Sequence, residues 1–308
     1  MTARRRIKMP DGRLVEPGPD ALALFLATHQ PSVYAAPPSI GPPPGADRPR
    51  SGEHDYSTES FDIRKVAGRE VTAIGAGSVG SHVVDALGPA GLTINIIDAG
   101  RVQSRHTQGG RTIYHPTQVG LRKVHALKDK IERDFPGSIV NAFFYNTAEI
   151  PDTELQSMFR RSLAVLLMID DGGQIVRISD LAYPITELIQ PAMHAKGESG
   201  HIAICVPFFT PCLRCSLGIN DATDIRRLDS EPAAGLDIAA VAHQTARITT
   251  DILYSKVTGQ PISRWDISKN LIYLSNTKDE LSPDGPGLHF QGSVRRPRCP
   301  VCDPHAAA

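Results

Sequence analysis

The chain has 308 residues and a 41% hydrophobic fraction, enough for one large α/β domain or two modest ones. Lys and Arg total 33, as do Asp and Glu, so no whole-chain field favours nucleic acid or an anionic membrane as a partner. No run of 18 apolar residues occurs, and the basic N-terminus is not followed by an apolar segment, so neither a membrane helix nor a secretory signal is expected.

Residues 1–60 hold ten prolines, including Pro37-Pro38 and Pro42-Pro43-Pro44. They read as a proline-rich, partly disordered N-terminal arm. Arg4-Arg5-Arg6 forms a solvated tail, Asp20–His29 a short capped helix and residues 31–56 an extended linker. The compact domain is expected over 61–308.

Val71-Thr72-Ala73-Ile74 is a short strand that runs into Gly75-Ala76-Gly77-Ser78-Val79-Gly80, and Ser81–Leu87 then reads as helix. Thr93–Ile97 is a second strand, ending at Asp98. Lys123–Asp134 has helical spacing, closed by Pro136. Ile139–Tyr145 and the nearly all-apolar Leu163–Ile169 are further strands, the latter suited to burial on both faces. Strands alternating with helices predict right-handed βαβ units: a Rossmann-like, mainly parallel sheet flanked by helices. Gln174–Ile189 reads as helical up to Pro184, His201–Val206 as a strand and Leu236–Val257 as a long amphipathic helix. Leu271–Leu274 and Leu288–Val294 read as late antiparallel strands.

Gly75, Gly77 and Gly80 fit G-x-G-x-x-G between strand and helix. The first allows a tight turn, the second lets phosphate approach the backbone, and the third lets helix pack on strand. The helix N-terminus offers N–H groups to an anion. Asp98, 18 residues past Gly80, stands where an acid can bind ribose hydroxyls. By itself the pattern serves NAD, FAD, S-adenosylmethionine and ATP proteins alike.

Cys212/Cys215 and Cys299/Cys302 form two Cys-x-x-Cys pairs with 83 residues between them. Four thiolates at this spacing suit a closed, structural Zn²⁺ site that pins the C-terminal segment onto the middle of the domain. The fifth cysteine, Cys205, reads as a buried strand thiol. This cysteine usage suggests a reducing compartment and hence a cytoplasmic location. Arg295-Arg296-Pro297-Arg298 reads as a solvated loop, with a surface for an acidic partner as the alternative.

Taken together, these pieces resemble the ThiF/MoeB/HesA family, the bacterial relatives of ubiquitin-activating enzymes. The resemblance spans roughly 66–303. It rests on IGAGSVGSHVVDALGPAGL (74–92), NIID (95–98), Gly120-Leu121-Arg122-Lys123-Val124 as the family's G-x-x-K-V, and PCLRC and RPRCPVC as its zinc knuckles. It implies an adenylyltransferase that uses ATP and Mg²⁺ to convert the Gly-Gly C-terminus of a small ubiquitin-like or sulfur-carrier protein into an acyl-adenylate. It also implies a homodimer. By resemblance Gly75, Gly77 and Gly80 meet the nucleotide, Asp98 the ribose and Lys123 the phosphates. Arg111 steadies the triphosphate and Asp171, beside Asp170, holds Mg²⁺.

The chain departs from the family in three places. Residues 104–112 carry a one-residue insertion. Gly100 replaces a second acid. The metal-binding Asp is shifted relative to Arg177. Residues 216–298 contain no cysteine, so the reaction is expected to stop at the adenylate. Two competing readings are a nucleotide-binding scaffold without catalysis and a NAD-dependent oxidoreductase.

Overall fold

Short β-branched runs build the centre of the sheet. Glu70–Ile74 (β1), Thr93–Ile97 (β2), Ile139–Phe143 (β3) and Ala164–Leu167 (β4) are all parallel. Every residue of β4 is buried, as a strand covered on both faces requires. The helices that connect and cover them are Ser78–Leu87 (α1), Lys123–Asp134 (α2), Asp152–Arg161 (α3) and Gly172–Ala182 (α4). The chain continues through Glu187–Met193 (β5), Ser199–Cys205 (β6), the one-turn helix Leu213–Leu217 (α5), Gly235–Thr258 (α6), Leu271–Ser275 (β7) and Gly287–Gln291 (β8). The computed structural model describes residues 7–8, 14–15, 62–220, 233–262, 264–280 and 282–303.

The sheet has eight strands in the order β8-β7-β6-β5-β4-β1-β2-β3. β5 pairs parallel with β4, and β6, β7 and β8 then add antiparallel. The architecture is therefore the α/β sheet expected, with antiparallel late strands. One face packs α1, α2 and α6 through Val83, Leu127, Ile248 and Ile272. The other packs α3, α4 and α5 through Phe159, Ile178 and Leu213, together with the four paired cysteines. Among the described residues no helix is long and apolar enough to cross a membrane.

Two elements escape the sequence reading and one reading needs adjustment. The helix read up to Pro184 is α4, which ends at Ala182, but β5, the central strand that begins at Glu187, goes unread. Pro191 hides it, since proline argues against a central strand. Here β4 stops pairing at Ile189, which leaves one side of β5 where a missing N–H breaks no ladder bond. α3 lacks sequence signal because only Leu155 and Phe159 turn inward. Arg295–Arg298 is not simply a solvated loop. Arg295 donates to the Phe208 carbonyl, and Arg296 to the Ile219 carbonyl and to Asn220 Oδ1. The readings for Arg4-Arg5-Arg6, Asp20–His29 and 31–56 fall outside the described residues, apart from a two-residue antiparallel ladder of Ile7–Lys8 with Leu14–Val15.

One buried ion pair ties the sheet to the end of α6. Glu187, only 3% exposed, receives Lys256 Nζ, which also donates to the Leu163 carbonyl at 2.9 Å. Lys256→Met is expected to leave a buried carboxylate uncompensated and to cost about 3 kcal/mol in urea unfolding. The double variant with Glu187→Leu should recover most of that loss.

Candidate functional site

The carboxyl ends of β1, β2 and β4 share one end of the sheet, and the loops leaving them converge there. Gly75 takes φ +102, and a Cβ on it would stand 2.3 Å from the Met168 carbonyl oxygen. A Cβ on Gly80 would stand 2.1 Å from the Gly75 carbonyl oxygen. Strand, loop and helix are therefore in contact through these two positions. Gly77, which caps α1, has no atom of the described residues within 4 Å of its Cβ position, its two chain neighbours aside. The cradle is tight where it must pack and open where a phosphate would lie against backbone N–H groups. Gly80→Ala should destabilise the fold, whereas Gly77→Val should keep the melting temperature and weaken nucleotide binding about tenfold or more. Thermal unfolding with and without ATP reads both.

Asp98 holds this loop to the next strand. Its Oδ2 accepts from Ala76 N at 2.7 Å and its Oδ1 from Gly100 N at 2.6 Å. Lys123, first residue of α2, brings Nζ to 3.9 Å from Asp98 Oδ2. The absence of a side chain at position 100 now has a cause. A Cβ there would stand 2.7 Å from Asp98 Oδ1 and 3.0 Å from Lys123 Nζ, displacing the pair.

Three residues around the loop carried no signal in the sequence. Tyr114, buried, donates its hydroxyl to the Ala76 carbonyl at 2.8 Å and so braces the glycine loop from behind. Burial raises its pKa well above the ordinary range, so it stays a donor. His106 is held down to about 4, first by burial and then by the charges of Lys123, Arg105 and Arg111, and is neutral near pH 7. Its ring nitrogen accepts from Gln103 N at 2.9 Å. Phe144, just past β3, carries the Arg122 guanidinium 4.2 Å from its ring centroid and that of Arg101 at 5.8 Å. The loop after β2 and the start of α2 thus bring Lys123, Arg105 and Arg111 around His106, near Asp98, while Arg101 and Arg122 stack on Phe144.

Asp171 caps α4, its Oδ1 accepting from Gln174 N at 3.0 Å. Its second oxygen and the neighbouring exposed Asp170 lie at the end of β4, one strand from the glycine loop. Arg177 is committed elsewhere. It donates to Asp152 Oδ1 and to the Thr147 and Ile150 carbonyls, bracing the loop before α3.

The cysteines meet at the opposite end of the sheet. β6 runs antiparallel to β5, so the knuckle after it lies away from the glycine loop. Cys212, Cys215, Cys299 and Cys302 are all buried, with sulfurs within 4.8 Å of one another. The pairs Cys212–Cys299 and Cys215–Cys302 are 3.6 and 3.5 Å apart. A tetrahedron of sulfurs about 2.3 Å from a central ion has edges near 3.8 Å, so this cage could hold zinc. Arg296 N donates to Cys215 Sγ at 3.2 Å, and Arg214, inside the knuckle, makes a two-pronged pair with Asp180 of α4. Such outer contacts orient thiolates. Cys205 is fully buried in β6, as its setting in the sequence suggested.

The ThiF family model matches residues 58–282. A search of curated proteins found no match. Among solved structures, Escherichia coli MccB with ATP is similar at TM-score 0.61 and 16% identity, over 78% of this chain and 68% of that one. The microcin C7 biosynthetic enzyme MccB in complex with N-formylated MccA gives 0.61 and 16%, over 78% and 69%. PaaA gives 0.55 and 15%, over 74% and 65%. At these identities the likeness is one of fold.

Proposed function

Because the chain belongs to the ThiF family, we propose that it is an ATP-dependent adenylyltransferase. It would join the C-terminal carboxylate of a small ubiquitin-like or sulfur-carrier protein to AMP and release pyrophosphate. The observation that carries this reading is the meeting of the open Gly77 cradle, Asp98 and Lys123 at one end of the sheet, with Asp171 one strand away.

Each group has a role set by its chemistry. The backbone N–H groups after Gly77 receive phosphate at the start of α1. Asp98, already locked by two N–H groups, keeps free lone pairs for ribose hydroxyls. Lys123 and Arg111 neutralise charge that builds on the phosphates as the α-phosphorus is attacked. Asp171 and Asp170 would hold Mg²⁺, which supplies further neutralisation and aligns the phosphate chain. An incoming C-terminal carboxylate is ionised at neutral pH, so attack on phosphorus needs no base. Alignment and charge neutralisation are then sufficient.

A second reading keeps the chemistry and changes the acyl donor to a short peptide. It is favoured by the similarity to MccB, which has been solved with MccA. ATP–pyrophosphate exchange tests both. Exchange that needs a Gly-Gly-tailed protein supports the first, exchange driven by a free peptide supports the second, and ATP binding without exchange by either leaves a scaffold.

A further inference from the structure

A second cluster of chemistry-bearing side chains lies at the same end of the sheet as the glycine loop, in the hairpin joining β5 to β6. Ser199 Oγ is 2.8 Å from His194 Nδ1. His194 Nε2 is 2.8 Å from His201 Nδ1, and His201 Nε2 is 2.9 Å from Gln190 Oε1. Gln190 is buried, and its amide nitrogen donates to the Pro191 carbonyl, which fixes its oxygen as the acceptor.

The hydrogen-bond directions then follow without choice. Gln190 Oε1 can only accept, so His201 carries its proton on Nε2 and accepts at Nδ1. His194 must therefore donate from Nε2 and accept at Nδ1, and Ser199 must donate to it. Burial lowers the pKa of both imidazoles, that of His201 to about 3, so both are neutral near pH 7. The Tyr273 ring packs edge-on to both at 6.5 and 6.4 Å, which limits their rotation. A hydroxyl that donates to an imidazole whose other nitrogen is held by a third group is the arrangement of an activated nucleophile.

Its location gives it a use. β5 runs parallel to β4, with Leu166 level with Ile189. Beyond that pair both chains run on to the same end of the sheet, β4 toward Asp170 and Asp171 and β5 toward His194. Attack by a carboxylate on phosphorus needs no base, so the first half-reaction makes no demand on this hydroxyl–imidazole pair. No cysteine lies between the two knuckles to accept an acyl group.

We propose that Ser199, with His194 as its base and His201 and Gln190 as positioning residues, accepts the acyl group from the adenylate formed in the neighbouring site. The identity of the acyl donor rests on the function proposed above. In this step Ser199 Oγ attacks the acyl carbon, and its proton passes to His194 Nδ1. The bond from acyl carbon to phosphate oxygen breaks, and AMP leaves. The resulting ester is then open to an external amine, thiol or water, which regenerates Ser199.

A fluorophosphonate probe tests the pair without ATP or any partner, so its outcome is independent of whether adenylation occurs. Oγ–P forms, P–F breaks and fluoride leaves, with the proton again passing to His194. The full-length protein is expected to acquire one adduct, mapped by peptide mass spectrometry to Ser199. His194→Ala should slow labelling about 100-fold or more, and added imidazole should restore part of the rate. Labelling of Ser199 no faster than of the exposed Ser104 in the unmodified chain would overturn the proposal, whatever the variant's folding. So would an unchanged rate in a folded His194→Ala protein.

Discussion

Replacing Cys299 with Ser, or stripping metal with a strong chelator, is expected to lower the stability of the chain by about 5 kcal/mol or more, comparable to the whole margin of an ordinary domain. Residues 292–302 contain few apolar side chains, and Val294 is 79% exposed. Hydrophobic burial alone holds that segment weakly. The cage joins it to α5, and α5 to α4 through Arg214 and Asp180. Elemental analysis of untagged protein should give one zinc per chain. Zinc-free preparations should unfold at lower urea concentration, and the end of β8 should exchange amide hydrogens first. Acid should act in the same direction. The hydrogen bond to Cys302 and burial keep Cys212 a thiol above its ordinary range, and burial does the same for Cys215. Hydrogen bonds from Cys212 and its neighbours draw Cys302 down to about 5. Binding zinc therefore releases at least the protons of Cys212 and Cys215. Affinity should fall about 100-fold or more for each unit by which pH is lowered from 7. Metal retention independent of pH between 5 and 7 would contradict a thiolate cage.

The sequence exposed the parts of this architecture whose physics is local. β2 and α2 coincide with the read segments because their apolar spacing and closing residues lie within a few positions of one another. The glycine loop, Asp98 and the two cysteine pairs stood out because each needs particular residue types at fixed offsets, whereas Lys123 was marked only by resemblance to the family's G-x-x-K-V. What was hidden depends on contacts across long separations. Tyr114 is 38 residues from the carbonyl it braces, and nothing local marks it. β5 was obscured by Pro191, whose tolerance depends on where a different strand ends. Position 100 looked like a missing acid in one dimension. In three it is the gap that lets Asp98 and Lys123 approach. The His194–His201–Gln190 relay spans both strands of a hairpin and follows no linear motif.

Lys123→Ala is expected to reduce ATP–pyrophosphate exchange about 1000-fold, the usual cost of removing one preorganised charge from a phosphate-transfer site. The loss should fall on kcat as well as KM, because a cation facing developing negative charge matters most in the transition state. Lys123→Arg should fail to restore it. A longer side chain ending in a planar guanidinium does not place its charge where the compact ammonium stands, 3.9 Å from Asp98 Oδ2. The two acids should separate from each other in the same assay. Asp98→Asn gives up one acceptor and sets an amide NH₂ against a backbone N–H, either that of Ala76 or that of Gly100. It should lower the melting temperature and raise KM for ATP together. Asp171→Asn keeps an oxygen for the Gln174 N–H and loses only the charge. It should melt with the wild type and yet demand more Mg²⁺ for half-maximal exchange. If Asp170→Asn shows that Mg²⁺ demand and Asp171→Asn does not, the metal belongs to Asp170, and Asp171 is left with the helix cap alone.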